Sequence, residues 1–219
     1  MSNTDMDKMI AALAADLSPV QRLRPPAVRL AVWVLFALPI SLLLGALVES
    51  QNIKLAVDRL QDPRMLIELI AILATALSAG YAALCCVQPG RSRFAWTLPI
   101  VPFFTWLALI GESCWTLWQN VGDQISFAPH WVCVPAVIST GAVPTVLIVM
   151  MIRRGAVLNA PMTVMLTTLA ASALGAVGLR LFHQPDAVAL VFMWQLIATF
   201  MFFVISGLAA TYMQNRAVG

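Results

Sequence analysis

The chain has 219 residues, of which 61% are hydrophobic and 11% charged, with a mean hydropathy of +0.87 and a net charge of +3. That balance excludes an ordinary soluble globular domain. It also excludes an outer-membrane β-barrel, whose strands would alternate polar and apolar residues.

The first predicted element is a short amphipathic helix, Thr4–Ser18. Thr4-x-x-Asp7 fits a capping box, with Asp in place of the more usual Glu or Gln. Met6, Met9, Ile10, Leu13 and Leu17 then recur at helical spacing and form one apolar stripe. Pro19 ends the helix, because a residue preceding proline is pushed out of the α region. Arg22-Leu23-Arg24-Pro25-Pro26 follows as a stiff basic elbow. The stripe has two explanations: it lies flat on the inner leaflet, or it is a ligand for the groove of a cytoplasmic protein. Interfacial helices carry a Lys/Arg-rich polar face, whereas Met1–Pro19 sets Lys8 alone against Asp5, Asp7 and Asp16. The acidic sign favours the protein partner.

Six apolar runs follow, at Leu30–Val48, Leu66–Val87, Phe94–Ile110, Val132–Ile152, Met162–Leu179 and Ala187–Tyr212. Each is near the roughly 20 residues that a helix needs to cross a bilayer core. The expected fold is therefore all-α: a polytopic membrane protein with six transmembrane helices plus the cytoplasmic N-terminal helix. The domain plan is residues 1–29, the six-helix unit 30–212 and a tail 213–219. Met1–Arg29 has no short apolar core of the cleavable kind, so no signal peptide is expected.

Orientation follows from Lys and Arg in the flanks. With the N-terminus inside, Lys8, Arg22, Arg24, Arg29, Arg91, Arg93, Arg153, Arg154 and Arg216 fall inside. Only Lys54, Arg59, Arg64 and Arg180 fall outside, which predicts N-in and C-in. Trp115, Trp118 and Trp131 bracket the outer loop Gly111–Trp131 as interface anchors, and Trp96 marks the inner start of the third span. The positive charge thus expresses topology, and no direct nucleic-acid contact is expected.

Small residues along Thr167–Gly178, including a step from Ala171 to Gly175, predict close helix packing and a central place for span five. Pro39, Pro102 and Pro144 should bend spans one, three and four. Glu68 is the one carboxylate inside a span, near its outer end, and is expected to snorkel or to pair with Arg64. No chain of mid-membrane charges and no internal repeat points to a pump or carrier.

The remaining chemistry gathers at the outer edge. Cys85 and Cys86 fall at the inner end of span two, where thiols stay reduced. Cys114 and Cys133 flank the outer loop, His130 shares a helix face with Cys133, and His183 is also outside. Cys and His bind soft or borderline metals, and exposed thiols are oxidised. Cys133, Cys114, His130 and His183 are therefore a candidate sensing set, with Cys133, His130 and His183 as candidate metal ligands. A structural Cys114–Cys133 disulfide, or a histidine that is merely hydrogen-bonded, explains the same residues. No cofactor is expected. No nucleophile–base motif, phosphate loop or H-E-x-x-H box is present, so a small membrane enzyme or carrier using the outer His/Cys/Asp edge is the alternative to a regulator.

The order and spacing of several segments resemble the NrsF-type membrane anti-sigma factors of proteobacteria. They are Ala15–Val20 ahead of Arg-Leu-Arg-Pro-Pro, Val87-Gln-Pro-Gly-Arg-Ser, Arg153-Arg154-Gly155-Ala156 and Leu179-Arg180-Leu181-Phe182-His183. The resemblance implies a non-enzymatic inner-membrane protein that holds an extracytoplasmic-function sigma factor through its cytoplasmic N-terminus. Met6, Met9, Ile10, Leu13 and Leu17, oriented by Asp16 and Pro19, would then contact the sigma factor. It further implies release on an envelope-side metal or oxidative signal, perceived by a pair of outer cysteines. Cys133 matches the first of these. Gln184 stands near where the second belongs, and Trp194-Gln195 replaces the family's Trp-His.

Overall fold

The computed structural model describes residues 3–15, 23–48, 53–90, 93–121, 133–155 and 159–182, together with Val204. Among these there are helices and turns and no strand. The helices are α1 (Asn3–Ala15), α2 (Pro26–Val48), α3 (Ile53–Leu60), α4 (Pro63–Cys86), α5 (Ile100–Val121), α6 (Cys133–Ile152) and α7 (Ala160–Phe182), with a 3₁₀ segment at Arg93–Thr97.

Local chemistry sets several starts. Pro26 opens α2, and the Pro25 carbonyl accepts from the backbone N–H groups of Val28 and Arg29 at 3.1 and 3.2 Å. Asp62 caps α4: its Oδ1 accepts from the Arg64 N–H at 3.0 Å, and Pro63 takes the first helical position, which needs no donor. Asn159 does the same for α7, accepting from the Met162 N–H at 3.2 Å.

Several boundaries differ from the sequence reading. Thr4 lies inside α1, so it is not that helix's cap, and the expected stretch to Ser18 passes beyond the described residues after Ala15. Pro99 and Pro102 divide the expected third span into the 3₁₀ segment and α5, because proline cannot donate to a preceding turn. α5 then runs on to Val121, so Trp115 and Trp118 ride on a helix rather than a loop. The short helix α3 was not expected at all. The sixth expected span, Ala187–Tyr212, lies outside the described residues apart from Val204.

The long helices α2, α4, α5, α6 and α7 alternate in direction, as their cross-contacts require, and α7 is central, packed against α2, α3, α4 and α6. Its small residues explain this. A Cβ added at Gly178 would stand 2.5 Å from the Ser41 carbonyl oxygen, and one at Gly45 would stand 2.9 Å from the Gly178 oxygen. Backbone thus meets backbone between α2 and α7. Gly175 likewise faces Gly141 of α6, its added Cβ being 3.1 Å from Gly141 Cα.

α2 presents one seam inward, Arg29, Trp33, Ala37, Ser41 and Gly45, spaced four residues apart. Pro144 in α6 has no N–H for the Thr140 carbonyl, and Ser41 Oγ donates to that oxygen at 3.1 Å. Trp33 Nε1 donates to the Pro144 carbonyl at 2.9 Å. The buried hydroxyls of Thr75 and Thr167 are satisfied by carbonyls four residues back in their own helices.

The outside of the bundle differs from that of a water-soluble fold. Leu35, Phe36, Leu43, Ile70, Val101 and Phe104 are exposed, while Ala76, Ala79, Ala82, Ala83, Ala170 and Ala173 are buried alongside larger side chains such as Trp33, Leu84 and Leu174. Small residues at helix contacts and large apolar ones on the outside suit a lipid surrounding. Pro26–Val48, Pro63–Cys86, Phe94–Ser113 and Ala160–Phe182 are each long and apolar enough to cross a membrane, and Ile138–Ile152 is a shorter apolar stretch. These helices fit a membrane protein.

Candidate functional site

Three polar features stand out from this apolar frame, and they sit at different places on it.

The first is α1. Among the described residues, none of the substantial helix–helix packing involves it. Met6 and Met9, both from the predicted stripe, are 44% and 54% exposed. Ile10 and Leu13 fall on α1 by backbone, but their side chains are outside the description, as are Asp16, Leu17 and Pro19 altogether.

The second feature lies at the end of the bundle that carries α3. Glu68, one turn into α4, is only 4% exposed. Its two oxygens accept from Arg180 Nε at 2.5 Å and Nη2 at 2.6 Å. This corrects the expected pairing with Arg64, which instead lies 3.1 Å from Glu112 of α5 on the surface. The reason is orientation: Glu68 points inward, toward the last turn of α7, while Arg64 remains in solvent. Arg59 of α3 donates through Nη1 to the Arg180 carbonyl at 2.5 Å, so α3, α4 and α7 are tied at one place. A bidentate guanidinium–carboxylate pair of this kind fixes geometry as well as charge.

The third is at the opposite end. Arg29, in the first turn of α2, is buried and donates through Nη2 to the Met151 carbonyl in the last turn of α6. A cation there meets the negative end of α6, at a carbonyl that also accepts a long 3.4 Å bond from the Arg154 backbone N–H. Sequence reasoning took Arg29 as a topology marker and Arg180 as a topology marker and part of a family-like segment, and gave neither a buried contact. The four-residue recurrence Arg29, Trp33, Ala37, Ser41, Gly45 was the signal that Arg29 faces inward.

The proposed sensing residues are less fully placed. Cys114 lies in the later half of α5 and Cys133 begins α6, both toward the end that carries α3, and their side chains are outside the description. His130 and His183 lie outside the described residues. No group of three or more potential metal ligands occurs among the described residues. Cys85 and Cys86 are buried at the other end of α4.

The family model for NrsF, negative regulator of sigma F, matches residues 13–213. The chain belongs to the NrsF family. No curated protein and no solved structure matches it. An NrsF protein is a negative regulator with a sigma factor as its partner. The match takes in the whole described bundle, both buried ion contacts and the proposed sensing residues. Of the predicted stripe it includes Leu13, Asp16, Leu17 and Pro19, while Met6, Met9 and Ile10 precede it.

Proposed function

We propose that this NrsF protein is a non-enzymatic anti-sigma factor spanning the bacterial inner membrane six times, with both termini in the cytoplasm. It sequesters an extracytoplasmic-function sigma factor through the α1 stripe Met6, Met9, Ile10, Leu13 and Leu17, which Asp16 and Pro19 orient. The observation that carries this reading is the exposure of Met6 and Met9 on α1, which takes no part in the substantial helix–helix packing among the described residues. An amphipathic helix with an unfilled apolar face is the ligand of a helix-in-groove interaction, in which residues at helical spacing act as anchors. Its acidic polar face disfavours an anionic membrane surface as the occupant.

Release follows a periplasmic metal or oxidative event at Cys133, Cys114, His130 or His183. Metal ligation or thiol oxidation there biases a bundle with two packings, and the elbow at Pro25-Pro26 passes the change to α1. Such a switch requires states separated by only a few kcal/mol.

Deleting residues 1–19 from the full-length protein tests the role of α1. Sigma-dependent transcripts are expected to rise without stimulus while the truncated protein remains in the membrane at its normal level. Unchanged silencing by the truncated protein would overturn the reading.

A further inference from the structure

The short helix α3 meets three surroundings around its circumference. Ala56 is buried and Arg59 donates to the Arg180 carbonyl, so this side faces the bundle, where α3 packs on α4 and α7. Ile53, Val57 and Leu60, spaced four and three residues apart, share a second side and are 60%, 50% and 45% exposed. Lys54 and Asp58, also four apart, are exposed on a third.

The chain next to α3 identifies what covers the apolar side. The N–H groups of Gln61 and Asp62 donate to the Asp58 and Arg59 carbonyls in a tight turn, and Asp62 caps α4, which begins three residues after Leu60. Leu60 thus ends where the exposed Leu66, Ile67 and Ile70 begin, on a helix long and apolar enough to cross a membrane. The same turn sets the depth. Arg64, at the start of α4, pairs with Glu112 on the surface, and Trp115, one turn farther along α5, is exposed. Tryptophans and charges gather at the headgroup level of a bilayer. A second protein suits the stripe poorly. Three half-exposed aliphatic side chains fall far short of the roughly 800 Å² per partner that a stable protein interface buries.

We propose that α3 is an interfacial helix, lying at the boundary between headgroups and acyl chains at this end of the bundle. Ile53, Val57 and Leu60 enter the acyl region, and Lys54 and Asp58 stay in water. A helix on this boundary sinks its apolar face by about 5–10 Å and keeps its charges out. Lys54 and Arg59 outnumber Asp58, so α3 lacks the acidic excess that turns α1 away from a membrane surface. The bond from Arg59 to the last turn of α7 then makes the bilayer surface a support for the central helix, beside the Glu68–Arg180 pair. The inference rests on the chain spanning a membrane and not on the identity of the cytoplasmic partner.

The test places the photo-crosslinking residue p-benzoylphenylalanine at one exposed position at a time in the full-length protein in membranes, and identifies the adducts by mass spectrometry. Leu35, 67% exposed midway along α2, serves as the reference site within the bilayer. Phospholipid adducts are expected at Ile53, Val57 and Leu60 at levels near that at Leu35, and severalfold lower at Lys54 and Asp58. Equal adducts at Val57 and Asp58, or a cross-link from Val57 to a second copy or to another protein, would overturn the placement. Lipid adducts at Leu35 with none at Val57 would overturn it alone, whereas their absence at both would overturn the membrane reading with it. Sigma-factor retention is measured separately, so failure at Val57 leaves the anti-sigma reading intact.

Discussion

Glu68 accepts from both Nε and Nη2 of Arg180 in surroundings nearly closed to solvent, with side-chain exposures of 5% and 19%. Removing one member of such a pair strands the other charge. Glu68→Gln is therefore expected to destabilise the bundle by roughly 3–5 kcal/mol, seen as a lower melting temperature in detergent. The Arg64–Glu112 pair makes the control, since both its side chains are largely in solvent. Arg64→Gln should change stability by less than about 1 kcal/mol. Equal melting temperatures for Glu68→Gln and the wild type would contradict the buried pair. The sequence singled out Glu68 correctly as a charge within a span, because its apolar neighbours are visible in the chain. It misassigned the partner for a physical reason: Arg64 is one helical turn away, whereas Arg180 reaches Glu68 only through the packing of α7 on α4.

Between elements, the close contact of α2 with α7 depends on the absence of side chains at Gly45 and Gly178. Gly178→Ala places a Cβ 2.5 Å from the Ser41 backbone oxygen, and a backbone atom has little room to yield. The expected loss is about 1–3 kcal/mol of stability. Gly141→Ala meets nothing within 4 Å and should be close to neutral in the same unfolding measurement. A reversed ranking would show that α7 does not approach α2 as described.

The central place of α7 was legible from its run of small residues, and the long apolar helices were legible from length alone. α3 was not. Eight residues are too few for a helical period to declare itself, and α3 is held by tertiary contacts, namely the burial of Ala56 and the bond from Arg59 to the Arg180 carbonyl. Pro102 is read as bending the third span, but the division into a 3₁₀ segment and α5 is not legible, because Pro99 and Pro102 sit within an otherwise continuous apolar run.

For the whole molecule, the proposed mechanism links an envelope-side stimulus to a cytoplasmic helix through a bundle whose ends are tied by different ion contacts, Glu68–Arg180 at one and Arg29–Met151 at the other. Replacing Cys114 and Cys133 together by Ser is expected to abolish the transcriptional response to peroxide or to a thiol-binding metal, with resting repression intact. A response of wild-type size in that double variant would remove the cysteines from the mechanism.

The most direct measurement addresses the link between α1 and the sigma factor. Full-length protein carrying an affinity tag is purified from the membranes of its own host, and co-purifying sigma factor is quantified by mass spectrometry. The account predicts an extracytoplasmic-function sigma factor with the wild type and its loss from a Met9→Asp/Leu13→Asp variant present at the same membrane level. Sigma factor retained in full by that variant would contradict it.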